Sequence, residues 1–312
     1  MKALNALNKL SYLILSTAFF FSCNTNNQVL EPANSQGENL AMKNPVIKRE
    51  ARNFRKEISY EVDSLASRSD IDSLLSSYSE DELKTIFALN RIEKNRLRSN
   101  TSLIIPECAS ENPNVYSPFP ESFNLLACIP KTVLISQRVQ AFALYEHGEL
   151  IKWGPVSTGK SSTQTPNGLN YGNYKAKRKI STVDESWIMP YYFNFMNFEG
   201  IGVHQYAMPG YPASHGCVRL YMDDAKYIFD WAEMWELDGS RITTNGTPFM
   251  VFGEYDYEAE KPWHALSQNM KANDLNQEEI DILQEYVKEY HSDPKNFKTI
   301  ASQEAEAGLA KA

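Results

Sequence analysis

Apolar and polar positions are most regularly ordered between residues 130 and 253. Residues 132–136 and 140–146 read as strands, His147-Gly148 as a hairpin turn, and 149–157 as the returning strand. The aromatic run 187–195 reads as a strand or lid, and Val203-His204 as the end of another strand. Asp223 or Asp224 is placed to cap a helix with Tyr227, Ile228, Trp231 and Trp235 on one apolar face. Residues 241–252 then read as a hairpin-ended strand that closes the sheet. The pattern is that of a mainly β domain.

Helical periodicity dominates on either side of it. Residues 43–90 read as helical, with Ser79 to Glu82 as a capping box and Leu83, Ile86, Phe87 and Asn90 following at helical spacing. Asn276 to Glu279 starts a C-terminal helix whose Ile280, Leu283, Val287 and Tyr290 face inward, followed by an acidic, Ala-rich tail. His264 and His291 have no partner at metal spacing and read as surface or packing residues. The expected boundaries are 1–22, 23–45 (a polar tether), 46–106 (helical), 107–129 (a connecting loop), 130–253 and 254–312.

The chain of 312 residues, with 42% hydrophobic content, can bury one good core and a smaller module. Its net charge of −8 argues against nucleic acid as a partner.

Candidate chemistry concentrates in residues 202–219. Cys217 shares this stretch with His204, His215 and Ser214. A thiol becomes a good nucleophile when an imidazole takes its proton or a dipole lowers its pKa. The turn-forming Pro209-Gly210-Tyr211-Pro212 would fold the chain back and return Cys217 to the side of His204. His204 is then the base, because His215, two residues from Cys217, is less free to be aimed at the sulfur. The Gly216 and Cys217 amides are placed to face a developing oxyanion, since Gly216 permits close backbone approach. On the residues alone, a structural thiol and a metal site of His204, His215 and Cys217 stay open, although no fourth ligand follows at familiar spacing.

His204, a Pro/Gly loop and then Ser214-His215-Gly216-Cys217-Val218-Arg219 resemble the signature of the L,D-transpeptidases, the YkuD-type catalytic domain that remodels peptidoglycan. The resemblance covers about residues 130–253 and implies a YkuD-like β-sandwich with a short helix after the motif. It implies Cys217 as nucleophile and His204 as general base, oriented by Gln205, often through a backbone carbonyl. It also places Arg219 at the substrate, and Gly216, His215 and Ser214 in support of the oxyanion loop; from the aromatic run itself, Tyr191 or Tyr192, with Tyr192 preferred, is the candidate to line a substrate groove. It requires no cofactor. The implied partners are peptidoglycan stem peptides, as donor and acceptor, and carbapenem-type inhibitors. An L,D-carboxypeptidase, a cysteine peptidase acting on ordinary peptides and a non-catalytic envelope-binding lipoprotein are the alternatives.

Two further resemblances concern the N-terminal part. Lys2 and Lys9 before an apolar run over 12–21 and Ser22-Cys23 resemble a lipoprotein signal, with Cys23 lipidated. This implies a membrane-anchored protein of the cell envelope facing the periplasm. Residues 89–106 resemble the second half of a LysM sugar-binding module. In an oxidising compartment Cys108 and Cys128 are expected to pair, worth about 3 kcal/mol by chain entropy, leaving Cys217 free.

Overall fold

In chain order the computed structural model, which describes residues 58–108 and 110–297, begins with β1 (Tyr60–Leu65), α1 (Arg68–Ser77), α2 (Glu80–Leu89) and β2 (Thr101–Pro106). Next come β3 (Lys131–Ser136), β4 (Ala141–Glu146), β5 (Glu149–Pro155), β6 (Gly168–Tyr171) and β7 (Tyr174–Ile180). They are followed by β8 (Ile188–Met196), β9 (Ile201–Gln205), β10 (Val218–Leu220), α3 (Met222–Trp231), β11 (Glu236–Asp238), β12 (Arg241–Thr244), β13 (Pro248–Phe252) and α4 (Gln277–Ser292). The apolar run before Cys23, the lipidation site, the polar tether and the acidic tail lie outside the described residues.

Two sheets make the mainly β domain. One has the order β5-β4-β3-β13-β6 and the other β10-β9-β8-β7. Because side chains alternate across a strand, Val133 and Ile135 of β3, with Phe249 and Val251 of β13, face the second sheet. There they pack with Phe193, Val203, Val218 and Ile228. The intervening Leu134, Met250 and Phe252 face the other way, into a second core with Trp263, Leu283, Val287 and Tyr290. Strands buried on both faces read as continuous apolar runs, as β3 and β13 do.

The hairpin at His147-Gly148 has both residues at positive φ, +48° and +77°, the geometry whose twist suits a two-residue β-turn. The remaining expectations shift in detail. Residues 241–252 divide at Asn245-Gly246: β12 pairs with β11 in a separate ribbon, and only β13 joins the main sheet. The cap of α3 is Tyr221, with Asp223 and Asp224 in its first turn. Its buried face is Asp224, Ala225 and Ile228; Tyr227 is exposed, and the helix ends before Trp235.

The expected helical region carries a strand at its start. β1 pairs antiparallel with β2, and α1 and α2, which lie between them in the chain, pack against the pair around Leu65, Ile71, Leu74, Ile86, Leu103 and Ile105. The capping box of Ser79 and Glu82 is present, and Ser67 with Asp70 forms a second one ahead of α1. Asn90 locks α2 to β2: its amide donates to the Ile86 and Ile104 carbonyls and its oxygen accepts from the Ile104 amide, each at 2.8 Å.

This N-terminal unit is tied to the β domain. Arg91, fully buried, donates from Nε to the Val139 carbonyl at 3.0 Å and lies 4.6 Å from the Trp263 ring centre. Tyr221 donates to the Ile92 carbonyl at 2.7 Å, and the Glu93 amide donates to the Met208 carbonyl at 2.9 Å.

At the C-terminal side, α4 has the expected capping box of Asn276 and Glu279. Its inward face is Glu279, Leu283, Val287 and Tyr290, with Ile280 only half-buried. Arg138 grips Glu279 through two hydrogen bonds of 2.9 and 2.7 Å. His264 is half-buried, and the ring of His291 stacks on Phe297. The expected bridge between Cys108 and Cys128 is not formed: Cys108 carries a free, exposed thiol. Its segment is held instead by Tyr116, whose hydroxyl bonds to the Cys108 carbonyl at 3.1 Å and to the Ser110 amide at 2.8 Å.

Candidate active site

Parallel pairing of β9 with β10 brings the chemistry together. Val203 pairs with Val218 and His204 with Arg219, which puts Cys217 beside Gly202. Side-chain alternation sends both valines into the core and leaves Gly202, His204, Cys217 and Arg219 on the opposite face. His204, Cys217, Arg219 and Ser214 line one cavity of about 60 Å³, closed on the far side by Ser181, Val183, Trp187 and Met189 of the β7–β8 hairpin. The turn at residues 209–212 does return Cys217 to the side of His204.

His204 is almost fully buried, and its Nδ1 lies 2.9 Å from the Gln205 carbonyl oxygen. A carbonyl only accepts, so Nδ1 carries the proton and Nε2 is the basic nitrogen. Gln205 therefore acts through its backbone. Burial holds the His204 pKa down at about 4, and the Arg219 charge adds to that, while the Gln205 bond opposes it. Burial likewise pushes the Cys217 thiol up, against opposing effects of the Gly202 backbone and Arg219. Both groups are thus neutral at rest. The Cys217 sulfur is 4.0 Å from the Gly200 carbonyl oxygen.

Ser214 is a buried staple for the loop. Its hydroxyl donates to the Cys217 carbonyl and accepts from the Gly216 amide at 3.0 Å. Gly216, at φ +112°, occupies a conformation that favours glycine. Its carbonyl accepts from Thr165 Oγ1 at 2.7 Å. Because Ser214 engages the Gly216 N–H, that group does not face the cavity as an oxyanion donor. The Cys217 amide is what remains of the expected pair.

His215 is exposed. Its Nε2 lies 3.1 Å from the Lys160 ammonium, and its ring packs against Trp187 at 4.7 Å between centres. It is part of the cavity rim rather than a second base. The Arg219 guanidinium donates to the Ala213 carbonyl at 2.9 Å and lies over the Tyr206 ring, 4.8 Å from its centre. It forms no ion pair among the described residues, so its charge stands available to a carboxylate in the cavity.

Tyr192, expected at the substrate, is instead a buried support. It is 2% exposed, donates to the Gly200 carbonyl at 2.7 Å and accepts from the Asn194 amide at 2.7 Å. It thereby fixes the same carbonyl that faces the Cys217 sulfur. Trp187, Tyr206 and Lys160 were not singled out by motif; their signal is tertiary, since each reaches the site from a different loop.

The sequence model of the YkuD family, L,D-transpeptidase catalytic domain, matches residues 130–251. No curated protein matches the chain. Similar solved structures include an L,D-transpeptidase (Yku) from Stackebrandtia nassauensis, 27% identical, covering 41% of this chain and 58% of that one at a TM-score of 0.34. L,D-transpeptidase 1 from Mycobacterium tuberculosis is 23% identical over 39% of this chain and 62% of its own, with a TM-score of 0.31. An L,D-transpeptidase from Mycobacterium smegmatis is 19% identical over 40% and 59%, with a TM-score of 0.33. The chain thus spans about three fifths of the length of these structures. With TM-scores this low, the assignment rests on the family match. Residues 130–251 are therefore assigned to the YkuD family of L,D-transpeptidase catalytic domains.

Proposed function

We propose that the protein is a peptidoglycan L,D-transpeptidase in which Cys217 is acylated by a tetrapeptide stem. The observation that carries this reading is the shared cavity of Cys217 and His204, with the His204 Nδ1–H held on the Gln205 carbonyl and Nε2 left as the base.

The reaction divides one acyl transfer into two steps. His204 Nε2 takes the thiol proton as the sulfur adds to the carbonyl between the third stem residue and the terminal D-Ala. The carbon–nitrogen bond then breaks, the imidazolium proton passes to the departing D-Ala amine, and a thioester remains on Cys217. An acceptor amine next gives its proton to His204 and attacks the thioester. A new amide forms, and the thiolate leaves and is reprotonated. With a second stem as acceptor the product is a 3→3 cross-link.

The Cys217 amide serves the oxyanion, and Arg219 pairs with a substrate carboxylate. The resting pair is neutral, so proton transfer accompanies attack instead of preceding it. No further group is required by these steps.

The same reading places the protein in the cell envelope, anchored through a lipid on Cys23, with the unit of β1, α1, α2 and β2 as a degenerate LysM-like scaffold. It also makes Cys217 a target for carbapenems. Solved relatives include LdtMt1 in complex with imipenem and L,D-transpeptidase 3 from Mycobacterium tuberculosis with a faropenem-derived adduct.

The test is mass analysis after incubating the chain from about residue 45 onward with a purified disaccharide-tetrapeptide, beside Cys217→Ala. Release of D-Ala with a 3→3 dimer supports transpeptidation. Release of D-Ala with tripeptide alone makes it a carboxypeptidase. Absence of D-Ala release by a folded protein overturns the reading.

A further inference from the structure

A groove of about 440 Å³ runs between the N-terminal unit and the loop that connects His204 to Cys217. It is lined by Arg96 and Arg98 on one side, Lys261 and His264 on another, and Pro209 and Tyr211 of the loop. The chain as a whole is acidic, at −8, yet this groove gathers three basic side chains, Arg96, Arg98 and Lys261. None of them is in an ion pair among the described residues.

The Arg98 guanidinium donates to the Asn95 and Leu97 carbonyls, at 3.0 and 2.7 Å. The half-buried Lys261 ammonium lies against the turn of the loop, 3.4 Å from where a Cβ on Gly210 would stand. Burial depresses the Lys261 pKa. His264 keeps Nε2 shielded from solvent and without a hydrogen-bond partner. Glu260 is the acidic group that acts on His264, and it is outweighed there by burial and Lys261.

The loop that walls the groove with Pro209 and Tyr211 also lines the active-site cavity with Tyr206, Ser214 and His215. The Pro209 wall is fixed to the N-terminal unit by a β-bridge to Ile92 and by the Glu93–Met208 hydrogen bond. Burial lowers the Arg219 pKa, and the charge of Arg96 adds to that. Cations that repel one another without internal compensation are a standing cost, relieved when an anion enters.

We infer that this groove is a binding site for the carboxylate-bearing part of a stem peptide, held by Arg96, Arg98 and Lys261 while its reacting group lies at Cys217. The inference rests on the transpeptidase reading for the identity of its occupant. A peptide is favoured over a phosphate polymer because the loop that walls the groove also walls the cavity that holds the nucleophile, where the occupant must carry an amide or amine.

The test is calorimetric binding to the full chain carrying Cys217→Ala, using a disaccharide-tetrapeptide and its counterpart with amidated carboxyl groups. The free acid is expected to bind about tenfold more tightly than the amide, with the advantage shrinking as salt rises. Adding Arg96→Ala, Arg98→Ala and Lys261→Met is expected to weaken the acid several-fold and to cut its advantage to the part that Arg219 supplies. The charge-keeping set Arg96→Lys, Arg98→Lys and Lys261→Arg is expected to preserve that advantage, which separates charge from misfolding.

Equal binding of acid and amide, or an advantage undiminished by removal of all three charges, overturns the inference. So does tighter binding of a glycerol-phosphate polymer than of the stem peptide. Turnover by the Cys217 protein is measured in parallel. Charge-dependent binding without turnover sinks the transpeptidase reading and leaves the groove assigned; turnover without charge-dependent binding does the reverse.

Discussion

The carbonyl oxygen of Gln205 lies 2.9 Å from Nδ1 of its own neighbour, His204. The imidazole is therefore oriented by backbone that any residue supplies. Gln205→Ala is expected to hold D-Ala release within about twofold, whereas His204→Ala is expected to cost about a hundredfold or more. Steady-state rates on the tetrapeptide donor decide this. A large loss in Gln205→Ala would give its side chain a role.

His204 is buried neutral, with its pKa near 4 against 6.5 for the free side chain. Between those values the unfolded chain binds the proton more tightly. The contribution to stability is therefore complete above about pH 6.5 and is lost as pH falls toward 4, by up to about 3 kcal/mol. Denaturant melts across this window should show a steeper acid loss in the unsubstituted protein than in His204→Gln.

Cys217 is shifted up by burial, in the direction opposite to that of a pre-formed thiolate. Its alkylation by iodoacetamide should be slow at pH 7 and should still be rising through the ordinary thiol range. A plateau near pH 6 would show an ion pair with His204 and contradict the neutral resting state.

Ser214 bonds both sides of Gly216, to the amide of that residue and to the Cys217 carbonyl. Ser214→Ala removes both bonds and is expected to cost about 1–3 kcal/mol. Its larger effect should be on kcat, since Cys217 loses its fixed position. Ser214→Thr keeps the hydroxyl and should recover part of the rate.

Gly202 lies where Cys217 approaches β9, and a Cβ there would meet the Phe193 carbonyl oxygen at 2.5 Å. Backbone cannot yield as a side chain can. Gly202→Ala is expected to destabilise the domain by about 1–3 kcal/mol and to depress activity, read from melts and from D-Ala release.

Arg138 and Glu279 connect the β domain to α4 through a bidentate pair around a 2%-exposed carboxylate. Arg138→Ala leaves that charge buried without its partner and is expected to cost about 3 kcal/mol. Arg138→Ala with Glu279→Gln should recover part of it.

Much of this fold can be read from the chain because its central strands bury both faces. Thr132 to Ser136 and Phe249 to Phe252 are apolar or nearly so throughout, and no other element accommodates such short runs. Cys217 and His204 were legible as a pair because both kinds of side chain bear chemistry and a turn separates them. β1 was not legible: it is a polar edge strand with Leu65 its only fully buried residue, and its register comes from β2.

Tyr192 was misplaced because an aromatic run fixes neither which ring turns inward nor that its hydroxyl would meet the Gly200 carbonyl. The engagement of the Gly216 amide by Ser214 is a contact within four residues, yet it depends on the positive φ of Gly216 and on the Thr165 hydroxyl at its carbonyl. Cys108 and Cys128 suited a disulfide by spacing, but spacing carries no information on where the segment after β2 is directed. Trp187 and Lys160 enter the site only through loop placement.

β13 inserts between β3 and β6, pairing parallel with the first and antiparallel with the second. The strand that opens the β domain thus waits for the one that ends it. During synthesis, which proceeds from the N-terminus, β3 and β4 emerge long before their sheet can be completed, and Cys217 emerges before the sheet beneath it has its β13 strand. Closing so distant a pairing is slow. The Cys217 thiol is then uncovered in the nascent chain until β13 is in place.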